Sequence, residues 1–558
     1  SKNISQNPGD VYDIDLNNFY LPMRNNGVLA DVNIRSSANL NLEVEDLDAN
    51  KRIFKEGIAF GEWGTLGKYE GKSVLFSGGF YLSGYINDQL WANGDYQAGP
   101  VGSNPGDGKN LIYPVYEGDP PFGKSWQNWK DAVDNGAYFY DGDGDGIYNP
   151  VDKNNNGVWD SNEDKPDLLY DAVLYTVYND GVPSSERRFS EIEPQGIEVR
   201  QSIYASNRNT ILDDVIFIRY SLVYKGLGNA NEPDSLENVI FSVWNDADIG
   251  DAQNDLTGCD TTLQAGYSYD DGDDPIWETE APAIFKAILQ GPRVKTDVPN
   301  SVAFNKLGPD RGSETYEGYK NLGMTTFAPP HKNVMLLMSP GNPIEMRRYQ
   351  EALYPNDGAE VDPCDFQFGE VFGGVNCADV NNKYWYSGDP VTQYGWIQTV
   401  TIDMRDLTNT GPFTLKKDEP MDIIVAYVVG KGTDALNSIT RAREITQYVH
   451  EEYERNFSTI VGVDDKPEEV INNFSLSQNY PNPFNPSTSI EYQVSSSEKV
   501  SLKVYDILGR EIKTLVNEVK SPGSYEVQFN ASRLASGVYF YRLTAGDFVQ
   551  TKKMMVIK

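Results

Sequence analysis

Two histidines and three cysteines are all that the 558 residues offer of the softer metal ligands. There is no HExxH, no histidine cluster and no CxxC pair, so a zinc enzyme has no ligand set to draw on. No G-x-S-x-G elbow accompanies His331, and no phosphate-cradling glycine loop opens a helix. His450 lies on an amphipathic segment and reads as a packing residue. No apolar run approaches the roughly 18 residues that span a bilayer. Basic residues are also in short supply. Lys and Arg number 47 against 82 Asp and Glu, and the net charge of −35 repels nucleic acid and anionic membrane surfaces. These counts predict no nucleic acid partner and no membrane insertion. One enzyme class stays open, because a glycosidase needs only two well-placed carboxylates.

Long runs of Ala, Leu, Glu and Lys are scarce, whereas Tyr (35) and Gly (50) are abundant. That balance favours strands and turns, and the chain is too long for one simple core. Residues 1–135 read as a β-rich region that ends in a short helix, "SWQNWKDAVDNG". Ser125 is its expected N-cap, Trp126, Trp129 and Val133 its apolar face, and Gly136 its stop. Residues 136–170 hold an acidic stretch. Residues 171–458 read as an antiparallel β-sandwich body. In "DDVIFIRYSLVYKG", Ile216, Ile218, Tyr220, Leu222 and Tyr224 alternate with a mixed face of Val215, Phe217, Arg219 and Ser221. "LENVIFSVWND" and "MDIIVAYVVGKG" have the same strand character. One amphipathic helix follows, with Leu436, Ile439, Ala442, Val449 and Tyr453 on its stripe. Residues 459–473, acidic and Pro-containing, read as a linker, and 474–558 as a separate domain. That last segment carries ten Lys or Arg against seven Asp or Glu, a net of +3, which leaves −38 on the remainder.

The acidic stretch, "DGDGDGIYNPVDKNNNGVWDSNED" at 141–164, carries two registers of a calcium loop. Such loops place oxygens at positions 1, 3, 5, 7, 9 and 12 and a glycine at 6. The first register uses Asp141, Asp143, Asp145, the Ile147 carbonyl and Asn149, and closes on Asp152. The second uses Asp152, Asn154, Asn156, the Val158 carbonyl and Asp160, and closes on Glu163. Ca²⁺ takes six to eight hard oxygens, whereas the bare carboxylates repel one another. Pro150 and Pro166 interrupt helical flanks, so the expected role is rigidification, for which an affinity on the order of 10⁻⁴–10⁻³ M suffices outside a cell. A second cluster, Asp246, Asp248, Asp251 and Asp255, is either another cation site or a set of turn-forming aspartates. "DDGDD" at 270–274 reads as an acidic turn. Cys364 and Cys377, in a Gly-rich loop, are expected to form a disulfide, with two buried thiols as the alternative. Cys259 is left over and reads as packed.

In the tail, Ile490, Tyr492 and Val494, and then Val500, Leu502 and Val504, alternate between glycine turns. This is the pattern of a sandwich of about seven strands. "YPNPFNP" (480–486), "VYDILGREIKTL" (504–515), "LASGVYFYRL" (534–543) and the Lys-rich end closely resemble the type A C-terminal sorting domain of the type IX secretion system. The resemblance implies an Ig-like sandwich, handling by that secretion machinery, and delivery to the cell surface or the medium. It also makes Ser1 the expected product of signal-peptide removal. Such tails are usually cleaved after export, so a chain running through Lys558 either keeps its tail or is a precursor. "QGIEVRQSIYA", "VWNDADIGDAQNDLTGCDTTL" and "YSGDP" resemble a large group of secreted proteins with this tail, which bears on location rather than activity.

The expected fold class is therefore mainly β: an antiparallel sandwich body with inserted calcium loops and a C-terminal sandwich domain. The expected function is a secreted, calcium-stabilised structural protein of the cell surface that self-assembles into a filament or layer. The alternative is a glycan-binding protein or a calcium-dependent carbohydrate-active enzyme, with "KYWYSGDP" (383–390) as the sugar platform. Expected partners are the secretion machinery during export, then copies of the chain itself or surface glycans.

Overall fold

Strand Val215–Tyr224 sets the layering. Alternation sends Ile216, Ile218, Tyr220, Leu222 and Tyr224 to one face and Val215, Phe217, Arg219 and Ser221 to the other, and both faces are buried. In the computed structural model this strand lies inside an antiparallel sheet. The order is Gln97–Ala98, Ala172–Asn179, Ile197–Ala205, Val215–Tyr224, Met421–Gly430, Ala283–Gln290, Ala265–Asp270 and Asp255–Asp260, with Tyr113–Tyr116 also on Ala172–Asn179. The structure describes residues 8–30, 32–33, 58–59, 61–63, 72–103, 110–208, 210–230, 232–331, 337–458 and most of 475–556. The chain divides into two compact units, Ser1–Ile460 and Val461–Lys558.

The even face of Val215–Tyr224 packs on a second antiparallel sheet. Its order is Thr326–Ala328, Arg405–Lys416, Ser235–Asp246, Ser77–Ile86, Leu29–Ala30, Phe19–Arg24, Gly61–Trp63 and Ser73–Leu75. Rings interlock across the gap: Tyr220 lies 5.0 Å from Phe80 and 5.4 Å from Phe241, and both partners belong to the opposite sheet. Each such fully buried ring or aliphatic side chain contributes about 1.5–3 kcal/mol relative to exposure. Strands from residues 1–135 stand beside strands from 171–458 in both sheets, so residue 135 is not a boundary of packing.

The odd face is covered by helices. The long helix Ala435–Glu454, capped by Asp434 accepting from the Asn437 N–H at 2.8 Å, lays Ile439, Ala442, Ile445, Val449 and Tyr453 on Ala283, Phe285, Ala287, Ile424, Ala426 and Val428. Leu436 is not on this stripe; it is 40% exposed, and Ala435 takes the buried place. The short helix Lys124–Asp134 contributes Trp126, Trp129 and Ala132 to the same layer. It starts earlier than its cap signal suggests. The Gly123 carbonyl accepts from the Gln127 N–H at 3.0 Å, so Gly123 is the cap and Ser125 lies buried in the first turn. Gly136 ends the helix at φ +93°. Arg219 is tolerated on the odd face because its guanidinium meets Asp167 at 3.5 Å and donates to the Lys306 carbonyl at 2.9 Å.

Among the described residues the second unit has seven strands in two antiparallel sheets. One is Ser475–Leu476, Ser487–Val494 and Gly523–Asn530; the other is Glu511–Lys520, Glu498–Tyr505, Gly537–Ala545 and Phe548–Val556. Ile490, Tyr492, Val494, Val500, Leu502, Val504, Tyr541 and Leu543 fill one core between them, as the alternation requires. The expected linker, 459–473, lies outside the described residues.

His331 is fully buried beside the Phe368 ring, 5.0 Å away, and neither ring nitrogen meets a hydrogen-bond partner among the described residues. Burial pushes its pKa down to about 3 from 6.5. The unfolded chain therefore takes up a proton that the folded chain refuses, and stability falls as pH drops below 6.5 toward 3. The slope is at most about 1.4 kcal/mol per pH unit for this group. Denaturant unfolding at about pH 7 and about pH 5 is expected to show a smaller loss for His331→Phe than for the wild type.

Candidate metal centre

The acidic stretch is an excursion from a two-rung ribbon. Phe139–Tyr140 pairs antiparallel with Lys165–Pro166, Tyr140 opposite Lys165, so 141 and 164 stand at the next rung. Within the excursion two turns share the bonds to the glycine and to the residue after it, eleven residues apart, and differ in the other N–H that the leading aspartate receives. In the first, Asp141 accepts from the N–H groups of Gly144 and Gly146, both at 2.8 Å, and Asp145 accepts from Ile147 at 2.7 Å. In the second, Asp152 accepts from Asn156 at 3.1 Å and Gly157 at 2.7 Å, and Asn156 accepts from Val158 at 2.8 Å. Gly146 and Gly157, at φ +77° and +75°, hold the left-handed conformation that the sharp bend demands.

One of the two carboxylates that close the turns differs from the sequence register. Glu163 accepts from the N–H groups of Lys153 at 2.6 Å and Asp160 at 2.9 Å, the second and ninth residues of the second turn. In the first turn the same two places belong to Gly142 and Asn149, and both donate to Asp164, at 3.1 and 2.7 Å. Asp152, expected to close the first loop, turns its carboxylate to the second. The ribbon is the reason, since it brings Asp164 across from Gly142. A Cβ at Gly142 would lie 2.3 Å from the Glu163 carbonyl oxygen, so only glycine fits there. Glu163 and Asp164 are both buried.

The donor set suits a hard cation. One oxygen from each of Asp141, Asp143 and Asp145 lies within 4.8 Å of the others, and the remaining ligand atoms of the register are amide, carboxylate and carbonyl oxygens. Lys153 donates to Asp143 at 2.7 Å and to the Asn162 carbonyl at 2.7 Å. That hydrogen bond holds the Asp143 carboxyl below the usual carboxylate range, and Lys153 neutralises only this one of the three. In the second turn Asn154 and Asn156 converge on Asp160, at 2.7 and 3.0 Å. Ile147 and Val158, assigned through their carbonyls, expose their side chains. The excursion is seated on the body. The Tyr148 hydroxyl donates to the Trp126 carbonyl at 3.0 Å, and Lys165 lies 4.2 Å over the Trp159 ring and 2.6 Å from Asp310.

Other candidate residues fall elsewhere. Cys364 and Cys377 form a disulfide with Cα atoms 5.1 Å apart, and Cys259 is buried and free. Trp385 and Tyr386, the expected sugar platform, are core residues packed on Phe366, with ring distances of 5.5 and 5.9 Å. Asp246 is ion-paired with Arg405 at 3.0 Å, and Asp251 is exposed. Asp248 is half-buried and Asp255 fully buried. A recess of about 440 Å³, which sequence reasoning missed, is lined by Arg293, Lys295, Tyr316, Tyr319, Phe413 and Lys416 among others. The Arg293 guanidinium lies 4.3 Å over the Tyr316 ring there.

Residues 478–558, the greater part of the second unit, match the family model of a secretion system C-terminal sorting domain. The chain is a secreted protein. The sorting domain directs it through the type IX machinery to the cell surface or the extracellular space. No curated protein matches the chain. Among solved structures a polysaccharide lyase is similar over 64% of this chain and 34% of its own, at 10% identity and a TM-score of 0.19. The chain thus spans about a third of that lyase. No helix among the described residues is long and apolar enough to cross a membrane.

The two closing carboxylates make a measurable distinction. Removing the buried Asp164 leaves the N–H groups of half-buried Gly142 and exposed Asn149 without their part-buried bonds, at about 1–3 kcal/mol for a group that water does not reach. Asp152 serves N–H groups of the exposed residues Asn156 and Gly157. In chelator, Asp164→Ala is therefore expected to lower the unfolding free energy more than Asp152→Ala does. The reverse order in denaturant titrations would restore Asp152 as the closing residue of the first turn.

Proposed function

We propose that this secreted protein is a structural component of the cell surface, that calcium stiffens it at 141–164, and that copies of it associate. The observation that carries the reading is the repeated turn. Asp141 and Asp152 each gather two backbone N–H groups, and each turn is closed by its own buried carboxylate. The first turn concentrates three carboxylates of which Lys153 neutralises one. A calcium ion bound there supplies the missing positive charge. The chain's own residues hold the geometry: the glycines make the bends, Asp164 and Glu163 tie both turns to the ribbon, and Tyr148 and Lys165 tie the ribbon to the helix and sheet layers. Such an arrangement stiffens a surface without a conformational switch, because the carboxylate cradles are already built.

Electron microscopy of the full chain in millimolar calcium and after chelation tests the assembly. Regular polymers that loosen on chelation are expected, and dispersed particles in both conditions would count against association. Calorimetry tests the metal: calcium is expected to raise the melting temperature of the wild type, and to raise it less in Asp141→Asn.

The recess favours a second reading, binding of an anionic glycan. In a chain of net charge −35 it gathers Arg293 and Lys295 beside Tyr316 and Tyr319, with Lys416 paired to Glu419 at 3.4 Å, and the two basic groups suit carboxylated sugars stacked on aromatic rings. Affinity electrophoresis in polygalacturonate is expected to retard the wild type and to release Arg293→Ala. Equal mobility of the two would end this reading.

A further inference from the structure

A fully buried amine and carboxylate meet between the two sheets of the sandwich. Lys286 comes from strand Ala283–Gln290 of one sheet, and Asp406 from strand Arg405–Lys416 of the other. Their side chains are 0% and 1% exposed, and Nζ of Lys286 lies 2.5 Å from Oδ2 of Asp406. Alternation puts Lys286 on the same face of its strand as Ile284 and Ile288, both residues of the core. Gly266 stands directly opposite Lys286 on the neighbouring strand. A Cβ there would lie 2.3 Å from Oγ1 of Thr408 and 2.4 Å from the Phe327 ring, so glycine is what lets the second sheet approach this closely.

Ser268, also buried, bridges the two partners. Its Oγ accepts from Nζ of Lys286 at 3.2 Å and donates to Oδ2 of Asp406 at 3.2 Å. The other oxygen of Asp406, Oδ1, meets no hydrogen-bond partner among the described residues. Burial pushes the pKa of Lys286 down, although the charges of Asp406 and Asp255 oppose it. An ion pair in such a place is costly, because the desolvation of both ions competes with their attraction. A product without charge suits the site better.

We propose that Lys286 and Asp406 condense into an intramolecular amide that joins the two sheets covalently. Transfer of one proton from Nζ to Oδ2 across their contact turns the ion pair into an amine and a carboxylic acid. The Nζ lone pair then bonds to Cγ of Asp406 while the Cγ–Oδ1 π electrons move to Oδ1. Nζ passes a second proton through the Ser268 hydroxyl to Oδ2. The Cγ–Oδ2 bond breaks, Oδ2 leaves as water, and Cγ–Oδ1 re-forms as the amide carbonyl. One N–C bond replaces one C–O bond, so the step consumes no oxidant, reductant or activated donor. Fixed proximity drives it, since well-oriented groups reach effective concentrations of about 10⁵–10⁸ M. The link closes a loop of 120 residues, whereas the Cys364–Cys377 disulfide spans 13. It ties together two sheets that otherwise only pack, and it depends neither on calcium nor on association of copies.

Intact mass spectrometry of the full chain, denatured and with its disulfide reduced, tests the link. The wild type is expected to be lighter than its sequence mass by one water, and Lys286→Met to have its full sequence mass. Peptide mapping of the wild type is expected to yield a branched peptide that joins Lys286 to Asp406. A wild type at full sequence mass, with the two residues recovered in separate linear peptides, would overturn the proposal and leave a buried ion pair. A missing water mapped to any other position, such as an aspartate followed by glycine, would overturn it equally. Ser268→Ala is expected to link more slowly, read as the linked fraction against time after a pulse of cell-free synthesis. A rate equal to that of the wild type would overturn the relay assigned to Ser268.

Discussion

The face-to-face burial of two antiparallel sheets is the constraint on which the rest of the structure depends. Strand Val215–Tyr224 is apolar on its even face, and that face meets Phe80 and Phe241 from the opposite sheet. Period-two geometry then leaves the odd face free to carry a third layer. Val215 and Phe217 join the core that the helices cover, and Arg219 is held by Asp167. Slipping this register by one residue would turn Arg219 into the aromatic slab and Tyr220 out of it. The helices, the ribbon at 139–140 and 165–166, and the acidic excursion all rest on that choice.

A chain of net charge −35 has to place its carboxylates without unfolding itself. Its recurrent solution is to aim backbone N–H groups at them. Asp141 and Asp152 each collect two, and Asp180 collects three, from Gln195, Gly196 and Ile197. Charge-assisted bonds of this kind are about twice as strong as neutral ones. They also stiffen the turns that carry them. Where burial outweighs such bonds, as at Asp255 and Asp270, the carboxyl is pushed above its usual range instead.

Much of the fold was legible because alternation is local. The strands at 215–224, 235–246 and 421–430 and the long helix could be read from side-chain periodicity alone, and so could the seven-stranded tail. The misses were equally physical. Ser125 is a good capping residue, yet the Gly123 carbonyl takes the first helical hydrogen bond. Leu436 carries the right polarity for the stripe, but the angle at which the helix docks puts Ala435 inside. "KYWYSGDP" reads as a platform because aromatics are rich there, and nothing local says that Phe366 and Trp396 cover it.

By itself the sequence determined the mainly β class, the secretion route carried by residues 478–558, and the spacing of carboxylates and glycines in 141–164. Each depends on residues close together in the chain, so the pattern is complete without a fold. Only the tertiary structure decided that Asp164 closes the first turn, because strand pairing at 139–140 and 165–166 brings together residues 22 apart. Only the sheet register opposed Asp255 to Asp270, and only the packing of the short strands at 293–295, 313–317 and 319–321 beside 405–416 made a recess that brings Arg293 and Lys295 together on an acidic protein. Those contacts join distant segments, and their chemistry exists only where packing places the side chains.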